Sequence, residues 1–142
     1  MAFWLMKTEP DVFSYADLER LGIGCWDGVR NYAARNHLRA MVPGDHVLVY
    51  HSNLDKAAVG IARVVRAHYQ DPTTADERWS AVDVAPVRPL LQPVSLVAIK
   101  ADVAAGGPLK DVRMIKENRL SVSPLTQAEW QALLAMAKTA WP

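Results

Sequence analysis

The pattern of apolar and polar positions predicts three strands in the first half of the chain. Residues 3–7 form an apolar run that stops before Pro10 and is too short for a helix, so it fits a buried strand. Residues 45–52 and 58–70 place valine or isoleucine between polar side chains, which is typical of paired antiparallel strands. Residues 53–56 would then form the turn between them.

Three further features concern the strands from the middle of the chain onward. Gly60 lies inside a predicted strand, which indicates a bulge or a close approach of another group to the backbone. Residues 78–87 predict another strand, and we expect Pro86 and Pro89 to end it, since proline cannot donate a ladder hydrogen bond. Residues 119–123 predict the last strand.

Capping residues and helical spacing predict short helices among these strands. Ser14, Ser95 and Thr126 are expected to cap helices at residues 14–22, 95–102 and 126–138. Residues 31–41 place apolar side chains at helical spacing, and Pro108 stands where a further helix would begin. The pattern predicts an α+β fold around a mostly antiparallel, barrel-like sheet, and 142 residues are the length of one domain spanning residues 1–142.

Composition and charge narrow the classes of function. Sixteen Lys and Arg against fifteen Asp and Glu give a formal charge of +1, so any nucleic-acid affinity must come from local patches. The single cysteine, Cys25, excludes an internal disulfide and a cysteine-built zinc site. Without an apolar run of about 18 residues or a signal-peptide pattern, the protein is expected to be soluble, without a membrane partner and not secreted. Its expected location is the cytoplasm in a bacterial source and the nucleus in a eukaryotic one.

Catalytic and metal-binding patterns are weak. His51 and Ser52 are neighbours in a predicted strand, so their side chains point to opposite faces and cannot act as a base and nucleophile pair. The acidic residues of the segment 71–77 lack the ligand spacing of a calcium loop and are expected in a solvated turn. No metal, cofactor or catalytic residue is therefore predicted. Glu9, with His51 and Ser52, leaves a base-processing hydrolase as an alternative.

The segment CWDGVRNYAARNHLR, residues 25–39, concentrates aromatic, amide and basic side chains. Trp26 precedes a turn and is interpreted either as a core ring or as an exposed one. No acid follows residue 27 in this segment, and three arginines do: Arg30, Arg35 and Arg39. Such a basic helix face is either simply solvated or a phosphate contact. Because the amide of Asn31 can pair with a base edge, the segment has the parts needed to hold one extruded base and its phosphates.

Long strings of the sequence resemble those of EVE-domain proteins, in the same order and almost from end to end. They include FWLMKTEP, CWDGVRNYAARNHLRAM, VLVYHSN, GIARVV and RLSVSPLT. The resemblance implies a PUA-like fold, a mixed and mostly antiparallel β-barrel with peripheral short helices, related to the YTH readers of methylated adenine in RNA. It also implies a non-enzymatic pocket for a modified base, with modified cytosine in DNA favoured.

The resemblance extends to individual positions. Trp26 and Trp79 match the two aromatic walls of the family's base cage. With Asn31, the further candidates for base binding are Thr8, Glu9, Tyr50, Ser52 and Ser121. Together with the three arginines above, the candidates for phosphate or rim contacts are Lys7, Tyr32, His51 and Arg119. Two departures are visible: Ala33 replaces a glutamine of the family motif, and the loop between Pro72 and Trp79 is shorter than in many relatives.

The residues leave other binding functions open. An RNA-binding module that reads modified RNA bases is the main alternative, because PUA-like and YTH relatives bind RNA. A protein-interaction barrel whose basic face meets acidic partners is a further one. The expected partner is nucleic acid with modified bases, either DNA or RNA, and the expected oligomeric state is a monomer.

Overall fold

The structure is a computed structural model that describes residues 1–140, so residues 141 and 142 of the predicted domain lie outside the described residues. Within this range, the chain forms six strands and five helices. The strands are β1 (Phe3–Thr8), β2 (Gly24–Trp26), β3 (His46–His51), β4 (Ala57–Gln70), β5 (Ser80–Ser95) and β6 (Val122–Leu125). The helices are α1 (Tyr15–Leu21), α2 (Tyr32–Ala40), α3 (Leu96–Ala104), α4 (Arg113–Lys116) and α5 (Gln127–Met136). None of these helices is long and apolar enough to cross a membrane.

The six strands form one mixed sheet in the order β2-β5-β4-β3-β1-β6. Only β1 and β3 pair in parallel, and the other four pairs are antiparallel. This confirms the predicted α+β class with a mostly antiparallel sheet. The sheet does not close into a barrel, because β2 and β6 are its two ends and do not pair with each other. Helix α2 contacts β6 at one edge of the sheet and β5 and β4 near the opposite edge. A helix therefore lies between the two edge strands that would pair in a closed barrel.

Two apolar clusters cover the two faces of the sheet, and β1 contributes to both. Trp4 and Met6 belong to the cluster that includes residues of α1 and α2, whereas Leu5 belongs to the cluster that includes residues of α3 and α5. Successive strand residues point to opposite faces, so a strand buried on both sides has an uninterrupted apolar sequence. The apolar run at the start of the chain therefore reflects a central position in the sheet.

Both features expected at Gly60 are confirmed, the bulge and the close approach of another group to the backbone. The pairing of β4 with β5 shifts register between Ala58 and Gly60, which marks a bulge. A side chain at Gly60 would also lie 2.4 Å from the ring of Tyr15, whose hydroxyl donates a 2.6 Å hydrogen bond to the carbonyl of Ile61. The close packing of α1 on β4 thus requires glycine at this position.

Three boundaries differ from the predictions. Strand β5 continues through Pro86 and Pro89, and the register shifts of its pairing with β4 provide the irregular positions that proline tolerates. The last strand begins at Val122 rather than at residue 119, because the N–H of Leu120 still closes a turn onto the carbonyl of Glu117. The helix expected at Pro108 begins at Arg113, after a turn. The short strand β2 was not predicted, since three residues carry no periodicity.

Candidate functional site

A cavity of about 230 Å³ lies where β1 and β2 end. We call it the β1–β2 cavity. Six of the predicted site residues line it: Lys7, Thr8, Glu9, Trp26, Arg30 and Ser121. They come from the end of β1, from β2 and the loop after it, and from the residue before β6. The fold therefore brings together side chains that are more than 100 positions apart in the chain.

Trp26 is both a core residue and a wall of this cavity. Only 6% of its surface is exposed, and Phe13 packs against it edge-on, with ring centroids 6.0 Å apart and planes at 90°. Its ring belongs to the apolar cluster of α1 and α2, and it also lines the cavity. The interpretation of Trp26 as a core ring is confirmed, the exposed alternative is wrong, and its contact with a base stays a prediction.

The end of β1 is held by hydrogen bonds to the backbone, and it contributes one of the two acidic residues that line the cavity, Glu9 and Asp27. The hydroxyl of Thr8 donates to the carbonyl of Phe13 over 2.8 Å, and the N–H of Lys7 donates to the carbonyl of Ser121 over 2.8 Å. Glu9 is exposed and lines the cavity, while its backbone carbonyl accepts from Val12 and Phe13. Because the hydroxyl of Thr8 is already engaged, Glu9 is the clearest hydrogen-bond acceptor at this end of the cavity.

Asp71 fixes the loop that follows β2. Its side chain is fully buried and accepts hydrogen bonds from the N–H of Gly28 (2.9 Å), from Nη1 of Arg30 (2.8 Å) and from both the N–H (2.7 Å) and the hydroxyl (2.6 Å) of Thr73. Burial acts to raise the pKa of Asp71, but these hydrogen bonds outweigh it and bring the pKa down to about 2. The expectation of a solvated turn is wrong for this residue. The Asp-Pro-Thr sequence was the available signal, since aspartate often accepts from the backbone two residues later.

Trp79 lies outside the β1–β2 cavity, in a second aromatic group that we call the aromatic stack. Its ring stacks on Tyr32 with centroids 5.1 Å apart, and the guanidinium groups of Arg30 and Arg35 lie 5.5 Å from the Trp79 ring and 5.0 Å from the Tyr32 ring, respectively. Trp79 is half-buried, and Tyr32 is 51% exposed. Arg30 therefore links the stack to the β1–β2 cavity, which Trp26 lines and Trp79 does not.

Arg35 and Arg39 lie on one side of α2, as predicted, and hold the loop before β5. Nη1 of Arg35 donates to the carbonyl of Arg78 over 3.2 Å. Arg39 donates from Nε to the hydroxyl of Ser80 over 3.0 Å and from Nη2 to the carbonyls of Glu77 and Arg78. These contacts give both side chains a structural role in the shortened loop, and their phosphate role stays a prediction.

Asn31 and Arg119 line a different cavity, of about 280 Å³. Asn31 caps α2, because its side-chain oxygen accepts from the N–H of Ala34 over 3.0 Å. One edge of the amide is thus engaged within the helix, and the structure does not bring Asn31 into the β1–β2 cavity.

Tyr50, His51 and Ser52 lie at or just after the end of β3 and do not line the β1–β2 cavity. Tyr50 and Ser52 line a cavity of about 420 Å³ that also includes Lys7. Nε2 of His51 accepts from the backbone N–H of Tyr15 over 3.0 Å, and Nδ1 lies 2.6 Å from a carboxylate oxygen of Asp55. His51 therefore connects α1, β3 and the following turn, and its side chain is only 9% exposed.

The described residues contain no group of three His, Cys, Asp or Glu side chains that could hold a metal ion. The side chains that converge on the β1–β2 cavity can instead accept and donate hydrogen bonds and contact an aromatic ring. These are properties of a binding site for a planar polar ligand.

Comparison with known proteins agrees with the resemblance seen in the sequence. The family model for the EVE domain matches residues 2–136. Thymocyte nuclear protein 1 from Mus musculus is 38% identical over 167 aligned positions, which cover 96% of this chain and 74% of the mouse protein.

Solved structures of similar proteins share the fold over nearly the whole chain. Human THYN1 protein in complex with 5-methylcytosine-containing DNA superposes with a TM-score of 0.89 at 36% identity, covering 99% of this chain and 100% of the human one. A protein from Agrobacterium tumefaciens superposes with a TM-score of 0.92 at 38% identity, covering 100% and 97% of the two chains. The chain therefore belongs to the EVE-domain family.

Proposed function

We propose that this protein binds DNA without catalysis and holds a flipped, modified base, with modified cytosine favoured, in the β1–β2 cavity. The observation that carries the proposal is the convergence of Trp26, Glu9 and Arg30 on one cavity. It is supported by the 36% identity with a human relative that is known in complex with 5-methylcytosine-containing DNA.

The size and chemistry of the cavity suit a pyrimidine. A volume of about 230 Å³ has room for one six-membered ring with its substituents. The carboxylate of Glu9 can accept from the exocyclic amine of cytosine, a pairing that thymine cannot offer. Trp26 supplies an aromatic wall, and the remaining walls restrict the space around the ring. A base that fills this space and satisfies Glu9 is preferred over one that does neither.

The energies indicate which contacts decide affinity. Extruding a base costs a few kcal/mol, and stacking on an aromatic side chain returns about 1 to 3 kcal/mol. The two terms nearly cancel, so net affinity depends on cationic contacts with phosphates. Arg30 is suited to this because its side chain remains 41% exposed although it is paired with Asp71. Binding is therefore expected to weaken as the salt concentration rises.

The test is binding to short oligonucleotides that differ by one base modification, in matched DNA and RNA forms. We expect Glu9→Ala to reduce the preference for cytosine bases over thymine, and Glu19→Ala to leave it unchanged, because Glu19 is an exposed carboxylate on α1 outside the cavity. Trp26→Phe is a second variant that retains an aromatic ring in the core and should weaken binding. Equal preference for all bases by the folded wild-type protein would refute the proposal.

The same experiment separates the alternatives. Tighter binding of the RNA form would favour a reader of modified RNA bases through the 2′-OH. Affinity for acidic proteins that survives Glu9→Ala and Trp79→Ala would favour a protein-interaction role. Mass analysis of the recovered oligonucleotides would reveal a product if the protein were an enzyme.

The family assignment supports three further parts of the proposal. We infer that residues 1–142 act as one domain and that the protein binds as a monomer, which light scattering of the free and bound protein would test. A reader of nucleic acid works where nucleic acid is found, which is the cytoplasm in a bacterium and the nucleus in a eukaryote.

A further inference from the structure

A second cavity of about 420 Å³ lies beside the β1–β2 cavity and is lined by three lysines. They are Lys7 in β1, Lys56 in the turn before β4 and Lys100 in α3. We call it the lysine cavity. Tyr50 and the amides of Asn53 and Asn118 also line it, and no aspartate or glutamate of the described residues does. In a chain with a formal charge of only +1, this is a local concentration of positive charge.

The positive charge of the lysine cavity is not neutralised within the described part of the chain. None of the ion pairs among residues 1–140 involves Lys7, Lys56 or Lys100. Two acids adjacent in sequence to lining residues have other partners, since Asp55 pairs with His51 and Glu117 pairs with Arg113. Three ammonium groups that face one space without a carboxylate attract an anion from solution.

The backbone positions these lysines. The carbonyl of Lys56 accepts a 2.8 Å hydrogen bond from the N–H of Leu96, which joins the turn to the start of α3. Leu96 and Lys100 are four residues apart, so they lie on one face of α3 and both line the cavity. Nζ of Lys7 donates to the carbonyl of Asn118 over 3.2 Å. Burial lowers the pKa of Lys7, as expected for an ammonium group that lacks a nearby negative charge.

Phosphate is the anion that suits this arrangement. A backbone phosphodiester carries a single negative charge, as a carboxylate does, but it also offers ester oxygens as acceptors, so three lysines and two amide side chains can contact it together. Lys7 lines both the lysine cavity and the β1–β2 cavity, so the two spaces are neighbours along the end of β1. A nucleic-acid strand with one base in the β1–β2 cavity would bring the phosphate of an adjacent nucleotide to Lys7.

We propose that the lysine cavity is a phosphate-binding subsite in which Lys56 and Lys100 contact the backbone of the strand whose base occupies the β1–β2 cavity. The assignment of the phosphate to a strand rests on the proposed function, whereas the preference of the cavity for phosphate does not. A free nucleotide carries the same phosphate chemistry and is the other source that the experiment must distinguish.

The test measures how the affinity for a single-stranded oligodeoxynucleotide containing 5-methylcytosine depends on salt. The variant is the double substitution Lys56→Gln and Lys100→Gln, both at exposed positions. The matched control is Lys110→Gln and Lys138→Gln, which removes the same charge from exposed lysines that do not line the lysine cavity. Each phosphate neutralised on a single strand contributes about 0.7 to the slope of log affinity against log salt, so loss of the one phosphate contact should reduce the variant's slope by about 0.7 in magnitude. The control should retain the wild-type slope.

Selectivity separates this proposal from the proposed function. The ratio of affinities for methylated and unmethylated cytosine should be unchanged in the lysine variant, because the β1–β2 cavity is intact. A reduced slope with unchanged selectivity supports the subsite. A reduced slope in a protein without any base selectivity would retain the phosphate subsite and overturn base reading.

A second measurement uses deoxycytidine monophosphate and inorganic phosphate, titrated by calorimetry. Binding that is abolished in the lysine variant, with no change in the oligonucleotide slope, would assign the cavity to a free nucleotide and overturn the contact with a strand. An equal decrease of oligonucleotide affinity in the variant and the control, with no binding of the free phosphates, would overturn the proposal altogether.

Discussion

The three arginines of residues 25–39 and the three lysines of the lysine cavity carry the same charge, but their side chains have different partners. Arg30 pairs with the buried carboxylate of Asp71, and Arg35 and Arg39 donate to carbonyls of the loop before β5. Among residues 1–140, Lys56 and Lys100 pair with no acid. A guanidinium group has several donors, so an arginine can hold a loop and still present charge, whereas a lysine without a partner depends on a ligand for compensation.

This difference shows that clustering in the sequence is a poor guide to available charge. The three arginines lie within ten residues of each other and dominate the sequence pattern. The three lysines lie at positions 7, 56 and 100 and form no pattern, yet they share a cavity. We therefore expect substitutions of the three arginines or their partners to affect mainly stability. Substitutions of the lysines in the lysine cavity should affect mainly binding.

The largest effect is expected from Asp71→Asn. The amide removes the partner of Arg30 and places a donor against the N–H of Gly28, so a buried group is left without its hydrogen bond. We expect a decrease of about 2 to 4 kcal/mol in the free energy of unfolding, measured by urea denaturation. Lys56→Gln with Lys100→Gln serves as the comparison and should change stability by less than about 0.5 kcal/mol. Equal decreases in the two variants would contradict the distinction between the structural arginines and the unpaired lysines.

A somewhat smaller effect is expected from pH. The pKa of Asp71 is about 2 in the folded protein, below its ordinary value of 3.8, so the unfolded chain binds the proton more tightly. The contribution of ionised Asp71 to the free energy of unfolding is therefore complete above about pH 5 and is lost as the pH falls through 3.8 toward 2. At about 1.4 kcal/mol per pKa unit, it amounts to about 2 kcal/mol. The stability difference between the wild type and Asp71→Asn should shrink between about pH 6 and about pH 2.5, and a constant difference would show that the charge of Asp71 is not responsible.

The smallest effect is expected from Trp79→Ala. The substitution removes a half-buried stack on Tyr32 and the contact with the guanidinium of Arg30. Aromatic pairs contribute about 0.5 to 1.5 kcal/mol and exposed cation–π contacts about 0.5 to 1 kcal/mol. We expect stability to decrease by about 1 to 2 kcal/mol and DNA binding to weaken, since Arg30 links the stack to the cavity. Trp79→Phe, which retains a ring, should restore most of the stability.

Local signals in the sequence predicted much of the fold. Ser14 and Thr126 form capping boxes with Asp17 and Glu129, as their spacing indicated. These features depend on residues within one helical turn, so no distant contact is needed to interpret them. The continuation of β5 through Pro86 was missed because a proline in a strand is tolerated only where the register shifts, and the register depends on the partner strand.

The candidate site was predicted less completely than the fold. Lys7, Thr8, Glu9, Trp26, Arg30 and Ser121 line one cavity, but Asn31, Tyr50 and Trp79 lie elsewhere. The Asp-Pro-Thr sequence indicated a local turn at Asp71 but not its contacts with Gly28 and Arg30, and nothing near Lys56 and Lys100 in the chain marks their proposed role. Their importance comes from neighbours that are about 40 or more positions away.

Sequence patterns were sufficient to predict the α+β class, the capped helices, the burial of β1 and membership of the EVE-domain family. Each of these follows from periodicity, from spacing within one turn, or from long strings of matching residues. The tertiary structure alone decided which charges are neutralised and which face a cavity. Neutralisation depends on distances of about 3 to 4 Å between groups on different elements, and the sheet order that sets these distances joins strands far apart in the chain.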